Sequence, residues 1–243
     1  MPEGPSLIIL AEQLKPFERR TVTGAGGYTD MPTAWIKGKR LLQIATWGKH
    51  LLLRFSTGTV RVHLRLFGSA TINERKKVNA SFFLRFGKDE LNFYVVQTQL
   101  ITEKLEGIYD WRTDVMDRKW RASFVEKEVK KFETEKIGDV LMNQKVFTGV
   151  GNIIRVETLY RSKIHPESIV GKIPGAVLKV LIRQARRYSK EFLQQRKDGT
   201  LAKNWEAYQQ EYCHRDDREF LVKVVGKTKR KTYFCLDCQK LYK

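Results

Sequence analysis

Cysteine is scarce, with three in 243 residues, too few to build a disulfide framework. Two of them form the pair Cys235-Leu236-Asp237-Cys238, which favours a reducing compartment. Acidic residues are also few: 27 Asp and Glu stand against 46 Lys and Arg, giving a formal net charge of +19. That surplus points to a polyanionic partner, above all nucleic acid, because each basic side chain displaces condensed counterions from phosphates. No apolar run reaches about 18 residues, so no membrane span and no membrane partner is expected. The opening Met1-Pro2-Glu3-Gly4-Pro5 has no basic segment leading into an apolar one, so no secretory signal is visible. Repeats and low-complexity blocks are lacking too. What is present is a 42% share of hydrophobic residues, enough for a core, and a length that suits one to two domains of roughly 100–200 residues each. The expectation is a basic, soluble, intracellular protein.

The first hundred residues read as strands. Leu41–Thr46, Lys49–Phe55 and Thr59–Leu66 are rich in Leu, Ile, Val and Phe, and break at Trp47-Gly48 and Ser56-Thr57-Gly58. Asn79–Phe86 and Glu90–Val96 flank a turn at Gly87-Lys88-Asp89. Short strands in succession predict an antiparallel sandwich or barrel, preceded by a helix over residues 7–14. Beyond Thr113 the spacing becomes helical, over Trp120–Phe132, Lys136–Asn143, Asn152–Arg161 and Pro174–Gln195. From Leu221 the chain reads strand, basic turn, strand, with seven basic residues against the single acid Asp237. Val222, Val224, Val225, Tyr233 and Phe234 are the side chains expected to pack this hairpin.

Removal of Met1 would expose the secondary α-amine of Pro2. Such an amine titrates near neutrality, can attack an aldehydic sugar carbon, and necessarily gives a charged iminium that draws electrons for elimination. Glu3 stands next to it as a proton shuttle. The start Met1-Pro2-Glu3-Gly4-Pro5 is followed in order by Gly48-Lys49-His50-Leu51-Leu52, Gly149-Val150-Gly151-Asn152-Ile153, His165-Pro166-Glu167, and Arg230 five residues before Cys235. This series resembles the formamidopyrimidine-DNA glycosylase and endonuclease VIII family of base-excision repair enzymes, along nearly the whole chain.

The resemblance implies an α+β multidomain protein. An N-terminal antiparallel β-sandwich would span residues 1–112, a helical helix–two-turns–helix domain 113–204, and a C-terminal β-hairpin finger 205–243. It implies Pro2, Glu3, Lys49 and Arg230 as the catalytic set. Lys49, Asn152 and Arg230 would hold the phosphates that flank a lesion. Arg65-Leu66-Phe67 would fill the gap left by an extruded base, as the polar–Leu–aromatic triplet of endonuclease VIII-like members does. Damaged DNA is the implied partner of a monomeric enzyme, placed on the nucleoid in the cytoplasm of a bacterium or in the nucleus of a eukaryote.

Several departures push toward the endonuclease VIII side. Ser6 replaces an acid, Tyr94-Val95-Val96-Gln97-Thr98 lacks the arginine pair of the formamidopyrimidine branch, and residues 199–212 leave little room for a loop covering 8-oxoguanine. The finger departs most, because Phe220 and Lys223 stand where a first cysteine pair belongs. Either Cys213 and His214 join Cys235 and Cys238 around one structural zinc ion, or the hairpin stands without metal. Catalysis itself requires no cofactor. The expected function is a bifunctional DNA glycosylase and abasic-site lyase acting on oxidised bases, pyrimidines favoured, by β,δ-elimination. A catalytically silent binder of damaged or distorted DNA is the alternative.

Overall fold

The computed structural model describes residues 2–243, and the chain divides into two compact units, Met1–Tyr109 and Asp110–Lys243. In the first, helix α1 (Gly4–Leu14) starts with Pro5 in its first turn, where a missing N–H costs nothing. Six antiparallel strands follow: β1 (Gly24–Gly26), β2 (Gln43–Trp47), β3 (His50–Phe55), β4 (Gly58–Ile72), β5 (Phe82–Phe86) and β6 (Asp89–Ile101). Their order is β1-β5-β6-β4-β3-β2. A short helix, α2 (Leu105–Ile108), closes the unit.

The two long strands explain the sandwich. β3 pairs with the first half of β4, while β5 pairs with the first half of β6. The β4–β6 register runs from Thr59↔Ile101 to Leu64↔Val96, shifts, and resumes at Ser69↔Tyr94. A shift of this kind bends paired strands and lets them pass from one layer to the other. Leu51, Leu53, Val60 and Val62 on one side of the bend and Phe82, Leu84, Leu91 and Phe93 on the other fill a single core. α1 packs on β2 and β3.

The second unit holds α3 (Ala122–Lys130), α4 (Ile137–Val140), α5 (Asn152–Arg161) and α6 (Gly175–Lys197), then the hairpin β7 (Leu221–Val225) and β8 (Arg230–Phe234). α6 buries Leu178, Leu181, Ile182, Ala185, Tyr188 and Phe192, a stripe of helical period, against a core that includes Val125, Val129 and Ile154. The expected helix over residues 136–143 shortens to one turn, because the chain must swing through the turns that lead into α5. No helix among the described residues is long and apolar enough to cross a membrane.

The hairpin packs differently from the expectation. Val225, Tyr233 and Phe234 are buried, but Val222 and Val224 are exposed. β8 lies against α5, and β7 is paired to β8 in a two-stranded ribbon. Its turn is fastened instead: Asp139 Oδ1 accepts the Lys227 amide at 2.8 Å, and Lys227 Nζ donates to Glu135 at 2.6 Å. Gly226, at φ 76°, is required there, since a Cβ would sit 2.2 Å from Asp139 Oδ1.

Candidate functional site

The N-terminal residues lead straight into α1. Glu3 is its N-cap, and its carbonyl accepts the Ser6 amide at 2.9 Å. The Glu3 side chain is 2% exposed and does not cap the helix. It sits at the positive end of the α1 dipole, which favours an anion. Pro2, one residue earlier, is half-buried.

Lys49 occupies the two-residue turn between β2 and β3, after Gly48 at φ 52°, a conformation that suits glycine. The turn is braced by rings. Trp47 lies 4.7 Å from Tyr109 and 5.6 Å from His50, and His50 meets the cross-strand His63 edge-on at 5.3 Å. The His63 Nδ1 is 3.3 Å from the Lys49 carbonyl. Burial, then the charges of Arg61 and His63, push the His50 imidazole down to about 3. Burial also lowers His63, with Arg61, Lys49 and Arg65 adding to the effect against the Lys49 carbonyl bond. Both imidazoles are therefore neutral at neutral pH, and the fixed charges here are the cations, as suits a phosphate.

Arg65, Leu66 and Phe67 fall at the bend of β4, between Leu64 and Ser69 where the register shifts. All three are exposed, Leu66 at 49% and Phe67 at 80%. They do not end a core strand; they project from the corner of the sandwich. Opposite them Val95 adopts φ 53°, so both strands are distorted at this point.

In the second unit, Gln144 staples the glycine turn. Its Nε2 donates to the carbonyls of Met142 and Val150, and its Oε1 accepts the Gly149 amide at 3.1 Å. Gly149 has φ 95°. Asn152 is the first residue of α5 and reaches the hairpin: its Nδ2 donates to the Lys231 carbonyl at 2.9 Å. The Asn152 Oδ1 and the Arg230 Nε are buried without a partner, a cost normally avoided unless a ligand completes the set. Arg230 opens β8, and its carbonyl accepts Thr232 Oγ1 at 2.9 Å, while Thr232 in turn accepts from the fully buried Arg155 of α5. Asn152 and Arg155 thus tie the hairpin strand to the helix start. Sequence reading missed Arg155, since nothing in a helical arginine announces burial.

The cysteines converge with one acid. Cys213, Asp216, Cys235 and Cys238 each offer a ligand atom, all within 4.8 Å of one another. His214 is exposed and lies outside this group, so Asp216 replaces it as the fourth candidate ligand. The signal was present: Cys213-His214-Arg215-Asp216 repeats the two-residue gap of the Cys235–Cys238 pair. Two neighbouring residues such as Cys213 and His214 diverge from a turn, whereas a gap of two brings both ends to one point. Cys213 Sγ lies 3.8 Å from Cys238 Sγ, and Asp216 Oδ2 lies 3.2 Å from Cys235 Sγ and 3.6 Å from Cys213 Sγ. Tetrahedral zinc with Zn–S of about 2.3 Å sets sulfur atoms roughly 3.8 Å apart, so the donor set fits. Burial pushes the Cys238 thiol up to about 12, and a metal there must displace that proton.

Comparison with known proteins agrees along the chain. Residues 1–99 match the formamidopyrimidine-DNA glycosylase N-terminal domain, and residues 113–203 match the formamidopyrimidine-DNA glycosylase H2TH domain. Endonuclease 8-like 3 of Bos taurus is 32% identical over 206 residues, covering 81% of this chain and 34% of that protein. The chain therefore spans about a third of the length of that relative. A formamidopyrimidine-DNA glycosylase of Pelotomaculum thermopropionicum is 25% identical over 238 residues, covering 85% of this chain and 83% of that one. Among solved structures, the Lactococcus lactis formamidopyrimidine-DNA glycosylase bound to DNA with an abasic site has a TM-score of 0.87 at 20% identity, covering 98% of this chain and 99% of that one. A viral DNA glycosylase has a TM-score of 0.85 at 18% identity, covering 98% and 100%. These two likenesses are likenesses of fold.

Proposed function

The chain belongs to the formamidopyrimidine-DNA glycosylase and endonuclease VIII family, and from that premise we propose that it is a base-excision repair DNA glycosylase with abasic-site lyase activity. The observation that carries this reading is Pro2 set directly before a buried Glu3 at the start of α1.

With Met1 removed, the Pro2 nitrogen attacks C1′ of the damaged nucleotide. The C–N bond to the enzyme forms as the glycosidic bond breaks, and the base leaves with a proton. Protonation of O4′ then opens the sugar as the C1′–O4′ bond breaks, and the lone pair of the secondary amine forms an iminium, which acidifies C2′. Loss of the C2′ proton expels the 3′ phosphate, and a second elimination expels the 5′ phosphate; water then releases Pro2. Glu3 holds and returns protons beside the amine. Lys49, Asn152 and Arg230 bind the flanking phosphates, and the partnerless Arg230 Nε is a donor suited to one of them.

Arg65, Leu66 and Phe67 enter the duplex where the base has left. Oxidised pyrimidines are the favoured lesions, because β6 carries no arginine at Tyr94–Thr98 and residues 199–212 form only a short 3-10 turn and loop. Cys213, Asp216, Cys235 and Cys238 would hold a structural zinc ion, whose contribution is to fasten the hairpin base rather than to react.

Borohydride trapping on abasic DNA tests the nucleophile. The expected result is a covalent adduct that maps to Pro2 and vanishes when an N-terminal extension blocks the amine. Lyase activity that survives the extension overturns the assignment.

A further inference from the structure

The first unit carries a groove of about 410 Å³ that the chemistry above leaves unused. Three rings line it, Tyr28, Phe83 and Tyr94, together with three cations, Arg75, Lys76 and Arg85. Tyr28 is 64% exposed, yet its hydroxyl is 2.7 Å from Ser81 Oγ, so the ring is held in place while open to solvent. Gly27 throws it outward: at φ 121° the backbone passes so near β5 that a Cβ would lie 2.4 Å from the Ser81 carbonyl. Lys76 Nζ stands 5.1 Å from the Tyr94 ring, and the Arg85 guanidinium 4.9 Å from the Phe83 ring. Glu90 is the one carboxylate of the lining, and both its oxygens accept from Arg75 at 2.6 Å. Arg85 Nε also lies 3.9 Å from Glu90 Oε2, and Lys76 Nζ donates to Ser69 Oγ at 2.6 Å, so three cations face one carboxylate and the lining keeps a net positive charge. A second cavity of about 330 Å³ shares Tyr28 with the first and reaches Arg65. The surface thus continues to the exposed corner at Arg65-Leu66-Phe67.

We infer that this groove is a second nucleic-acid subsite, which takes an unpaired DNA strand leading away from the lesion. Bases stack on the tethered Tyr28 ring, and phosphates lie at Lys76 and Arg85. A duplex fits the groove less well, because its stacked bases offer no free faces to the rings. The inference rests on the reading that the Arg65–Phe67 corner enters DNA.

The test is fluorescence anisotropy of the full chain with unmodified oligothymidylate of about 15 nucleotides, a length in the usual range of single-strand sites. Tyr28→Ala should bind at least about fivefold more weakly, the low end of what one stacked base contributes, while Tyr28→Phe, which keeps the ring and loses the tether to Ser81, should fall between the two. Lys76→Ala should reduce the slope of log K against log salt by about 0.7, as one lost single-strand phosphate contact predicts. Borohydride trapping on an abasic duplex should be unchanged in Tyr28→Ala. Equal oligothymidylate affinity of wild type and Tyr28→Ala, or equal weakening on intact duplex, overturns the subsite. Wild type that binds oligothymidylate through Tyr28 but forms no adduct upholds the subsite and removes the proposed reaction instead.

Discussion

His50→Phe should make the protein more resistant to acid. His50 sits among Trp47, His63 and Tyr109, with Arg61 as the facing charge, and its Nδ1 is buried without a partner. Its imidazole titrates at about 3 in the fold against 6.5 as the ordinary value. Between those values the unfolded chain binds a proton that the folded chain refuses, so stability rises with pH across the window and falls on acidification. Each pH unit below 6.5 is worth about 1.4 kcal/mol, so pH 5 costs about 2 kcal/mol relative to neutrality through this residue alone. Phenylalanine keeps the ring contacts, removes the partnerless nitrogen and cannot titrate. Urea unfolding of both proteins at pH 7 and pH 5 gives the comparison, in which carboxylate and His63 contributions are common to both. Wild type should lose about 2 kcal/mol more than the variant between the two pH values. Equal losses, or a His50 imidazole that titrates near 6.5 by NMR, refute the reasoning.

Asp216→Ala should leave three thiols around the proposed zinc, and elemental analysis should find metal content well below one per chain; full occupancy in the variant, or none in wild type grown with zinc, removes Asp216 as a ligand. Leu66→Ala should slow excision of thymine glycol by roughly tenfold, about 1.4 kcal/mol, while cleavage of a preformed abasic site changes little, since no stacked base must be extruded there. Equal slowing of both steps in single-turnover assays places Leu66 outside the extrusion step.

Local pattern was enough wherever one residue's neighbours in sequence decide its environment. The stripe of α6, the strands around Gly48-Lys49 and the basic hairpin were all legible from period and turn chemistry. The limits of β4 were not, since β4 runs on to Ile72 through the register shift and carries Arg65, Leu66 and Phe67 outward as it bends. No periodicity encodes such a bend, which exists because two layers must share the same pair of strands. The helix expected over residues 136–143 is cut to Ile137–Val140 for a related reason, as the turns leading to Gly149 interrupt it.

The sequence by itself determined the family and the order of the elements, and it singled out Pro2, Glu3, Lys49 and Arg230 as candidates, because these depend on residue type and linear spacing. Only the tertiary structure decided that Asp216, not His214, faces the three thiols, for which of two neighbours points inward depends on the turn. It alone showed Arg155 buried beneath Thr232, and the Asp139–Lys227 clamp on the hairpin, contacts between residues about eighty positions apart. It alone placed Tyr28 upright beside Lys76 and Arg85. Such pairings arise from where separate strands and helices come to rest, and no segment carries that information alone.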